Sequence, residues 1–129
     1  MIRATFFTSP FYLNNRQFDL SDKVANMNDC LYGAYLLRKK FMEKGIELNT
    51  QDINPPEDSQ FIIYSEMPKI KEILPGKNNY LLLLECEVIR PDNWNLKNHK
   101  YFNKIFTWHD DFIDEKKYFK INSPFVRRT

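Results

Sequence analysis

Short apolar runs alternate with helical or polar segments along this chain. Runs rich in β-branched and aromatic residues, bounded by Gly, Pro, Asn or Ser, predict strands at residues 2–8, 46–50, 61–64, 80–85, 105–108 and 118–121. Apolar residues at helical spacing, starting after the candidate cap Asn28-Asp29 and stopping at Gly45, predict one long helix. Shorter helical pieces are predicted at 68–74, where Pro68 can occupy the first turn, and at 96–102.

This order of elements predicts the fold class. Strands that alternate with helical crossovers pair in parallel, and the crossovers cover both faces of the sheet. We therefore expect an α/β fold, a Rossmann-like three-layer domain with a mainly parallel sheet, over residues 1–122. Residues 11–27 show no steady hydrophobic period and are expected to form a surface loop of the kind that binds ligands. Residues 123–129 are expected to be a linker or a truncated edge.

Composition narrows the class of protein further. The formal net charge of the 129 residues is only +2 and is spread evenly, which argues against a nucleic-acid-binding surface. Cys30 and Cys86 cannot form a CxxC pair or a thiolate metal site, so a reducing, cytoplasmic location is expected. The N-terminus lacks the order of a signal peptide, and no apolar run reaches the roughly 20 residues of a transmembrane helix. With three glycines the chain has no phosphate-binding glycine loop, and no cofactor is expected.

Glu85 is the first candidate for chemistry. It follows four consecutive leucines, a run typical of a strand buried on both faces, and the carboxyl edge of a parallel sheet is where such folds bind ligands. Partial desolvation at that position would make the carboxylate a better base. The structural alternative is a carboxylate that caps a helix or pairs with a cation. Glu87, two residues on, and Glu66, at the end of the neighbouring predicted strand, are further candidates.

Two other polar clusters have simpler interpretations. His109-Asp110-Asp111 contains residue types that bind metals, but three consecutive residues diverge in a strand, and a polar strand end or turn is the interpretation we favour; no metal site is expected. His99 could line an anion or carbohydrate pocket together with Trp94 and neighbouring lysines. The alternative for His99 is an ordinary amphipathic helix face.

Over residues 80–125 the sequence resembles glycosyltransferase family 10, the alpha-1,3/1,4-fucosyltransferases, in the part that belongs to their N-terminal domain. Three features carry the resemblance: the apolar strand ending in Glu85, the loop that contains Pro91, and the block Phe102-Asn-Lys-Ile-Phe-Thr-Trp-His-Asp-Asp111 that runs into Lys117-Tyr-Phe-Lys-Ile-Asn122. One departure is that Cys86-Glu87 follow Glu85, where family members usually carry a small residue and a proline.

The resemblance implies the N-terminal half of a GT-B glycosyltransferase, in which two Rossmann-like halves face each other across a cleft. This half would bind the acceptor glycan and carry Glu85 as the general base. GDP-fucose, the donor substrate, would be bound by a C-terminal half or a separate chain, so that this chain alone is not a complete transferase. Acceptor contacts are expected from two carboxylates and from aromatic rings that can stack on a sugar, namely Glu66, Glu87, Phe11, Tyr12 and Trp94.

Two alternatives stay open at this point. One is a noncatalytic module that binds a glycan or a protein with the same half-fold. The other is a flavodoxin-like or receiver-like regulatory domain in which Asp110 and Asp111 bind a cation.

Overall fold

The structure, a computed structural model, describes residues 1–121. The predicted linker at 123–129 and Asn122 lie outside the described residues. The strands are β1 Ile2–Phe7, β2 Ile46–Thr50, β3 Phe61–Ser65, β4 Asn78–Leu83, β5 Lys104–Thr107 and β6 Tyr118–Lys120. The α-helix of this part of the chain is α1, Tyr32–Glu43, and the connections carry 3-10 helices at Pro10–Tyr12, Arg16–Phe18, Met27–Asp29, Pro56–Asp58, Ile70–Glu72, Pro91–Trp94, Leu96–Tyr101 and Asp110–Phe112.

The six strands form one sheet in the order β2-β1-β3-β4-β5-β6, and every neighbouring pair is parallel. This confirms the predicted α/β, Rossmann-like class. Because β1 lies between β2 and β3, the chain adds β2 on one side of β1 and all later strands on the other. The gap between the carboxyl ends of β1 and β3 is therefore the topological switch point, the usual ligand-binding position in open parallel sheets.

The two faces of the sheet bury separate hydrophobic cores. On one face α1 packs through Ala34, Leu37 and Phe41 against a core that includes Ala4 and Leu48. The core of the opposite face is covered by the connections that follow β3 and β4, and it contains Ile62, Tyr64, Met67, Ile73, Leu81, Leu83, Phe102 and Ile105. The domain thus has three layers, although 3-10 helices rather than α-helices build the third layer.

Proline spacing explains why that layer has no α-helix at the predicted segment 68–74. Pro68 and Pro75 leave only a few residues between them, and a helix this short cannot recover the cost of its first turn. The observed element is a single 3-10 turn, Ile70–Glu72, in which the Glu72 carboxylate accepts a hydrogen bond from the Lys69 amide at 2.9 Å. The predicted helical piece at 96–102 is likewise a 3-10 helix.

The start of α1 also differs from the prediction. Asn28 and Asp29 both have φ of 58° and belong to a separate 3-10 turn, so they do not cap α1. Asn26 takes part of that role, because its side-chain oxygen accepts a hydrogen bond from the Leu31 amide at 2.9 Å. Gly45 ends the helical segment with φ of 78°, as the sequence predicted.

The segment between β1 and α1 is more than the predicted surface loop. Phe18 and Ala25 are buried in it. The Phe18 ring packs edge-on against Phe6 of β1 with the ring centroids 5.4 Å apart.

No helix within residues 1–121 has the length and apolar character needed to cross a bilayer.

Candidate functional site

A cleft of about 890 Å³ opens at the carboxyl edge of the sheet. Its walls are built by residues that directly follow parallel strands: Thr8 and Ser9 after β1, Ser65 and Glu66 at the end of β3, and Leu84 and Glu85 after β4. The cleft therefore spans the switch point between β1 and β3. Its size is within the range of sites that hold a small ligand such as a mono- or disaccharide.

Several residues that line the cleft carry polar side chains that could bind a ligand. Ser9, Tyr12 and Ser65 each carry a hydroxyl, and Glu85 carries a carboxylate. Within residues 1–121 none of these four side chains makes a hydrogen bond. Three hydroxyls can each donate and accept, and a carboxylate can only accept. Together they match the hydrogen-bonding pattern of a ligand that carries several hydroxyl groups.

The two cations of the cleft are already neutralised. Arg90 donates from Nε and Nη2 to the two carboxylate oxygens of Asp92, at 3.0 and 2.8 Å, and Nη2 also reaches the Met67 carbonyl at 2.9 Å. Lys120 lies 2.6 Å from Asp110 and 2.7 Å from the Trp108 carbonyl oxygen. Neither side chain is left as an uncompensated positive charge for a phosphate group.

Hydrogen bonds to both oxygens hold the Glu66 carboxylate in place. One of its oxygens accepts backbone hydrogen bonds from Leu84 at 2.9 Å and Glu85 at 3.2 Å, and the other accepts the side-chain amide of Asn93. Burial raises the pKa of Glu66, and the hydrogen bonds from Leu84, Asn93 and Glu85, together with the nearby charge of Arg90, act in the opposite direction. Its carboxylate is therefore held by the protein rather than presented freely to a ligand.

Glu85 is placed differently from the expectation of a partly desolvated strand residue. Strand β4 ends at Leu83, two residues earlier, and the Glu85 side chain is exposed at the mouth of the cleft. Its backbone is fixed, because the Glu85 carbonyl accepts the Trp94 indole N–H at 3.0 Å and its amide donates to Glu66. Within residues 1–121 the result is a carboxylate without a hydrogen-bond partner on a tethered backbone.

The remaining predicted acceptor contacts divide into two groups. Tyr12 and Glu66 line the cleft, whereas Phe11, Trp94 and Glu87 do not. Phe11 is covered by the guanidinium of Arg16, 4.1 Å from the ring centroid. The Trp94 ring packs in an aromatic cluster with Trp108, His109 and Phe112, and the side chain of Glu87 is exposed.

Sequence reasoning missed three residues of the site. Ser9 and Ser65 could have been found from position, since each lies at or directly after the carboxyl end of a predicted strand. Trp108 lines the cleft on one side and donates its indole N–H to the Leu84 carbonyl at 2.7 Å. The signal for Trp108 was its place at the end of the predicted strand 105–108, next to the strand that leads to Glu85.

His99 belongs to the core rather than to a pocket. It is 1% exposed, and its Nε2 lies 2.7 Å from the carbonyl oxygen of Asn93. A carbonyl can only accept, so Nε2 carries the proton, and Nδ1 accepts the Tyr118 hydroxyl at 2.8 Å. Burial lowers the pKa of His99, with a smaller opposing effect from the bond to Asn93.

The cluster at His109-Asp110-Asp111 forms a 3-10 turn, Asp110–Phe112, in agreement with the predicted polar turn. Asp110 is bonded to Lys120. Among the residues that the structure describes, no group of three or more His, Cys, Asp and Glu side chains is arranged to hold a metal ion.

The chain matches no known protein-family model, and no curated protein or solved structure is significantly similar to it. Its function is therefore inferred from the cleft and from the resemblance carried by residues 80–125.

Proposed function

We propose that this chain is the acceptor-binding half of an inverting, fucosyltransferase-like glycosyltransferase, and that it requires a donor-binding half for activity. The observation that carries the proposal is the chemistry of the cleft at the carboxyl edge. Three hydroxyls and the Glu85 carboxylate are available there, while Arg90 and Lys120 are each bonded to an aspartate.

This combination favours a neutral ligand with several hydroxyl groups over a nucleotide. A diphosphate is bound by free cations or by backbone N–H groups at the start of a helix. Here β1 is followed by Ser9 and a 3-10 turn that begins with Pro10, which has no N–H to donate. The hydroxyls and carboxylate instead suit an acceptor sugar, and Trp108 and Tyr12 supply aromatic surface beside them.

Glu85 is the group proposed to act as general base. In the reaction the acceptor hydroxyl loses its proton to the Glu85 carboxylate, and its oxygen forms a bond to the anomeric carbon of fucose. The bond from that carbon to the phosphate oxygen breaks, and GDP leaves with the electron pair.

Turnover after fusion of this chain to a donor-binding half of the resembling family tests the proposal. Glu85→Gln is expected to lower turnover of GDP-fucose by roughly 100-fold or more, the usual scale for a general base, without changing the melting temperature. Glu87→Gln is the matched control, because its side chain is exposed outside the cleft, and it is expected to keep turnover near that of the unmodified enzyme. Equal turnover in the two variants would remove Glu85 from the catalytic role.

A further inference from the structure

We propose that Glu66 is a positioning residue that fixes the direction in which the Glu85 carboxylate enters the cleft. The proposal rests on the proposed function only in assigning a catalytic role to Glu85. The hydrogen bonds from the Leu84 and Glu85 amides to the Glu66 carboxylate are present in the fold whatever that role is. Glu66 would act through the backbone of residues 84 and 85 and would not contact the substrate's reacting atoms.

The first support is the geometry at the end of β4. The next two amides after Leu83 no longer join the sheet, and the Leu84 and Glu85 amides both donate to the Glu66 carboxylate. In the described residues this carboxylate is their hydrogen-bond acceptor. The orientation of the Glu85 peptide unit, and hence of its Cα–Cβ bond, is therefore set by Glu66.

The second support is the backbone of Glu66 itself. Its φ is 66°, a left-handed conformation that costs a residue with a side chain about 1–2 kcal/mol and that glycine adopts without this cost. The Glu66 amide still makes a hydrogen bond to the Leu82 carbonyl at 2.8 Å, so the turn occurs directly after the last sheet bond. Glu66 thus combines a strained backbone with a side chain that is already hydrogen-bonded within the protein, and it lies in the cleft wall. These are the features expected of a positioning residue.

The third support is the buried amide that completes the arrangement. Asn93 is 0% exposed; its Nδ2 donates to Glu66 and lies 3.3 Å from the Glu85 carbonyl, and its Oδ1 accepts the Met67 amide at 2.8 Å. Asn93 is held in turn by the bond from His99 to its carbonyl oxygen. Glu66 and Asn93 thus hold the amide and the carbonyl of Glu85 from the protein interior, while the carboxylate of Glu85 faces the cleft.

Nuclear magnetic resonance on the 129-residue chain tests this inference without any donor substrate. The variants are Glu66→Gly, which removes the carboxylate but suits the left-handed backbone, and Glu66→Gln, which retains one acceptor oxygen. Glu115→Gly is the matched control, since Glu115 also has positive φ, at 57°, but is exposed and does not line the cleft. The readouts are amide hydrogen exchange, the three-bond HN–Hα coupling of Glu85, which reports its backbone φ, and binding of methyl β-D-galactopyranoside.

In Glu66→Gly we expect exchange of the Leu84 and Glu85 amides to rise about tenfold relative to Tyr64 and Ile105 in the neighbouring strands, the scale of one lost hydrogen bond. The Glu85 coupling should move towards its conformationally averaged value, and glycoside binding should weaken. Both changes should be smaller in Glu66→Gln than in Glu66→Gly. Glu115→Gly should leave all three readouts unchanged.

Two exchange and coupling results would overturn the inference: a rise in exchange that is equal across Leu84, Glu85 and the two core amides, or an unchanged Glu85 coupling in Glu66→Gly. The positioning role also fails, and the proposed function stands, if the glycoside binds the unmodified chain and Glu66→Gly equally well. If local exchange rises and the Glu85 coupling changes while the unmodified chain does not bind the glycoside, the positioning role stands and the proposed function fails.

Discussion

Nε2 of His99 lies 2.7 Å from the carbonyl oxygen of Asn93 and must carry a proton, which leaves Nδ1 as the acceptor of the Tyr118 hydroxyl. This buried pair links β6 to the 3-10 helix Pro91–Trp94 and so supports Asn93, which donates to the cleft residue Glu66. The His99 ring, the Asn93 carbonyl and the Tyr118 hydroxyl all have hydrogen-bond partners in this arrangement. The fold therefore favours the neutral form of His99.

His99 should make stability depend on pH near neutrality. Its pKa in the folded chain is below its ordinary value of 6.5, so the unfolded chain binds the proton more readily. The stabilisation is present above about pH 6.5 and is lost as pH falls from there towards the folded-state pKa. Urea unfolding at pH 7.5, 6.5 and 5.5 should show a smaller pH dependence for His99→Gln than for the unmodified chain.

The control for this prediction is His109→Gln, because the His109 side chain is 33% exposed and its ring makes no hydrogen bond within residues 1–121. His109→Gln should keep the pH dependence of the unmodified chain. His99→Gln should in addition lower the free energy of unfolding at pH 7.5 by about 1–3 kcal/mol, since it leaves buried partners unpaired. If His99→Gln has the same pH dependence as the unmodified chain, His99 is not the source of the pH-dependent stability.

Acid should unfold the chain partly through two aspartates. The hydrogen bond from Arg16, followed by that from the Ala25 amide, lowers the pKa of Asp22 to about 2, and backbone hydrogen bonds lower the pKa of Asp114 to about 2. Their stabilisation is complete above the ordinary value of 3.8 and is lost as pH falls from about 4 to about 2. Asp22→Asn and Asp114→Asn should each lose less stability over that interval, measured by circular dichroism during acid titration.

Asp111→Asn is the control in that experiment, because the Asp111 side chain is 89% exposed. It should follow the acid transition of the unmodified chain. A transition that is identical in Asp22→Asn and in the unmodified chain would show that the Arg16 pair does not contribute.

The two positive-φ glutamates should respond oppositely to glycine. Glu115→Gly relieves the backbone at an exposed position and should raise the free energy of unfolding by up to about 1 kcal/mol. Glu66→Gly relieves the backbone in the same way but leaves the Leu84 and Glu85 amides without their acceptor, at a cost of about 1–3 kcal/mol. The free energy of unfolding should therefore fall in this variant. The melting temperatures of both variants, compared with that of the unmodified chain, test this prediction. A higher melting temperature in Glu66→Gly would contradict a stabilising role for the hydrogen bonds from Leu84 and Glu85 to Glu66.

Tyr12 and Phe11 offer a direct contrast within the predicted aromatic contacts. Tyr12 lines the cleft, and its hydroxyl makes no hydrogen bond to another residue of the described part of the chain, whereas Phe11 lies outside the cleft beneath Arg16. Tyr12→Phe should weaken sugar binding by roughly 2- to 12-fold, the value of one hydrogen bond. Phe11→Ala should leave affinity unchanged in the same calorimetric titration. Equal losses in both variants would place the sugar elsewhere.

The strands could be predicted from the sequence because each one is a short apolar run with a clear boundary. Strand β2 has the predicted limits, residues 46–50, since Gly45 precedes it and polar residues follow. The end of β4 could not be predicted, because the apolar run continues through Leu84 and gives no sign of where pairing stops. It stops where the carboxylate of Glu66, 18 residues earlier in the chain, accepts the Leu84 amide in place of a neighbouring strand.

Contacts between residues that are distant in sequence also explain why the predicted site residues differ from those that line the cleft. Glu66 and Glu85, predicted from their position at strand ends, and Tyr12, predicted as an aromatic contact, all line one cleft in the structure. The exposure of Glu85 and the burial of Glu66 depend on the left-handed turn at Glu66 and on Asn93, and neither can be read from local spacing. Trp94 was predicted to contact a sugar, but its ring packs among three other aromatic side chains that come from a later part of the chain.

Binding of a neutral sugar compared with GDP is the measurement that tests the central claim most directly. Titration of the isotope-labelled chain with methyl β-D-galactopyranoside should give saturable shifts at Ser65, Glu85 and Trp108, because their groups line the cleft without a competing phosphate site. GDP should give no saturable shift, since Arg90 and Lys120 are already paired with aspartates. Saturable binding of GDP in this cleft, with no response to the glycoside, would contradict the account.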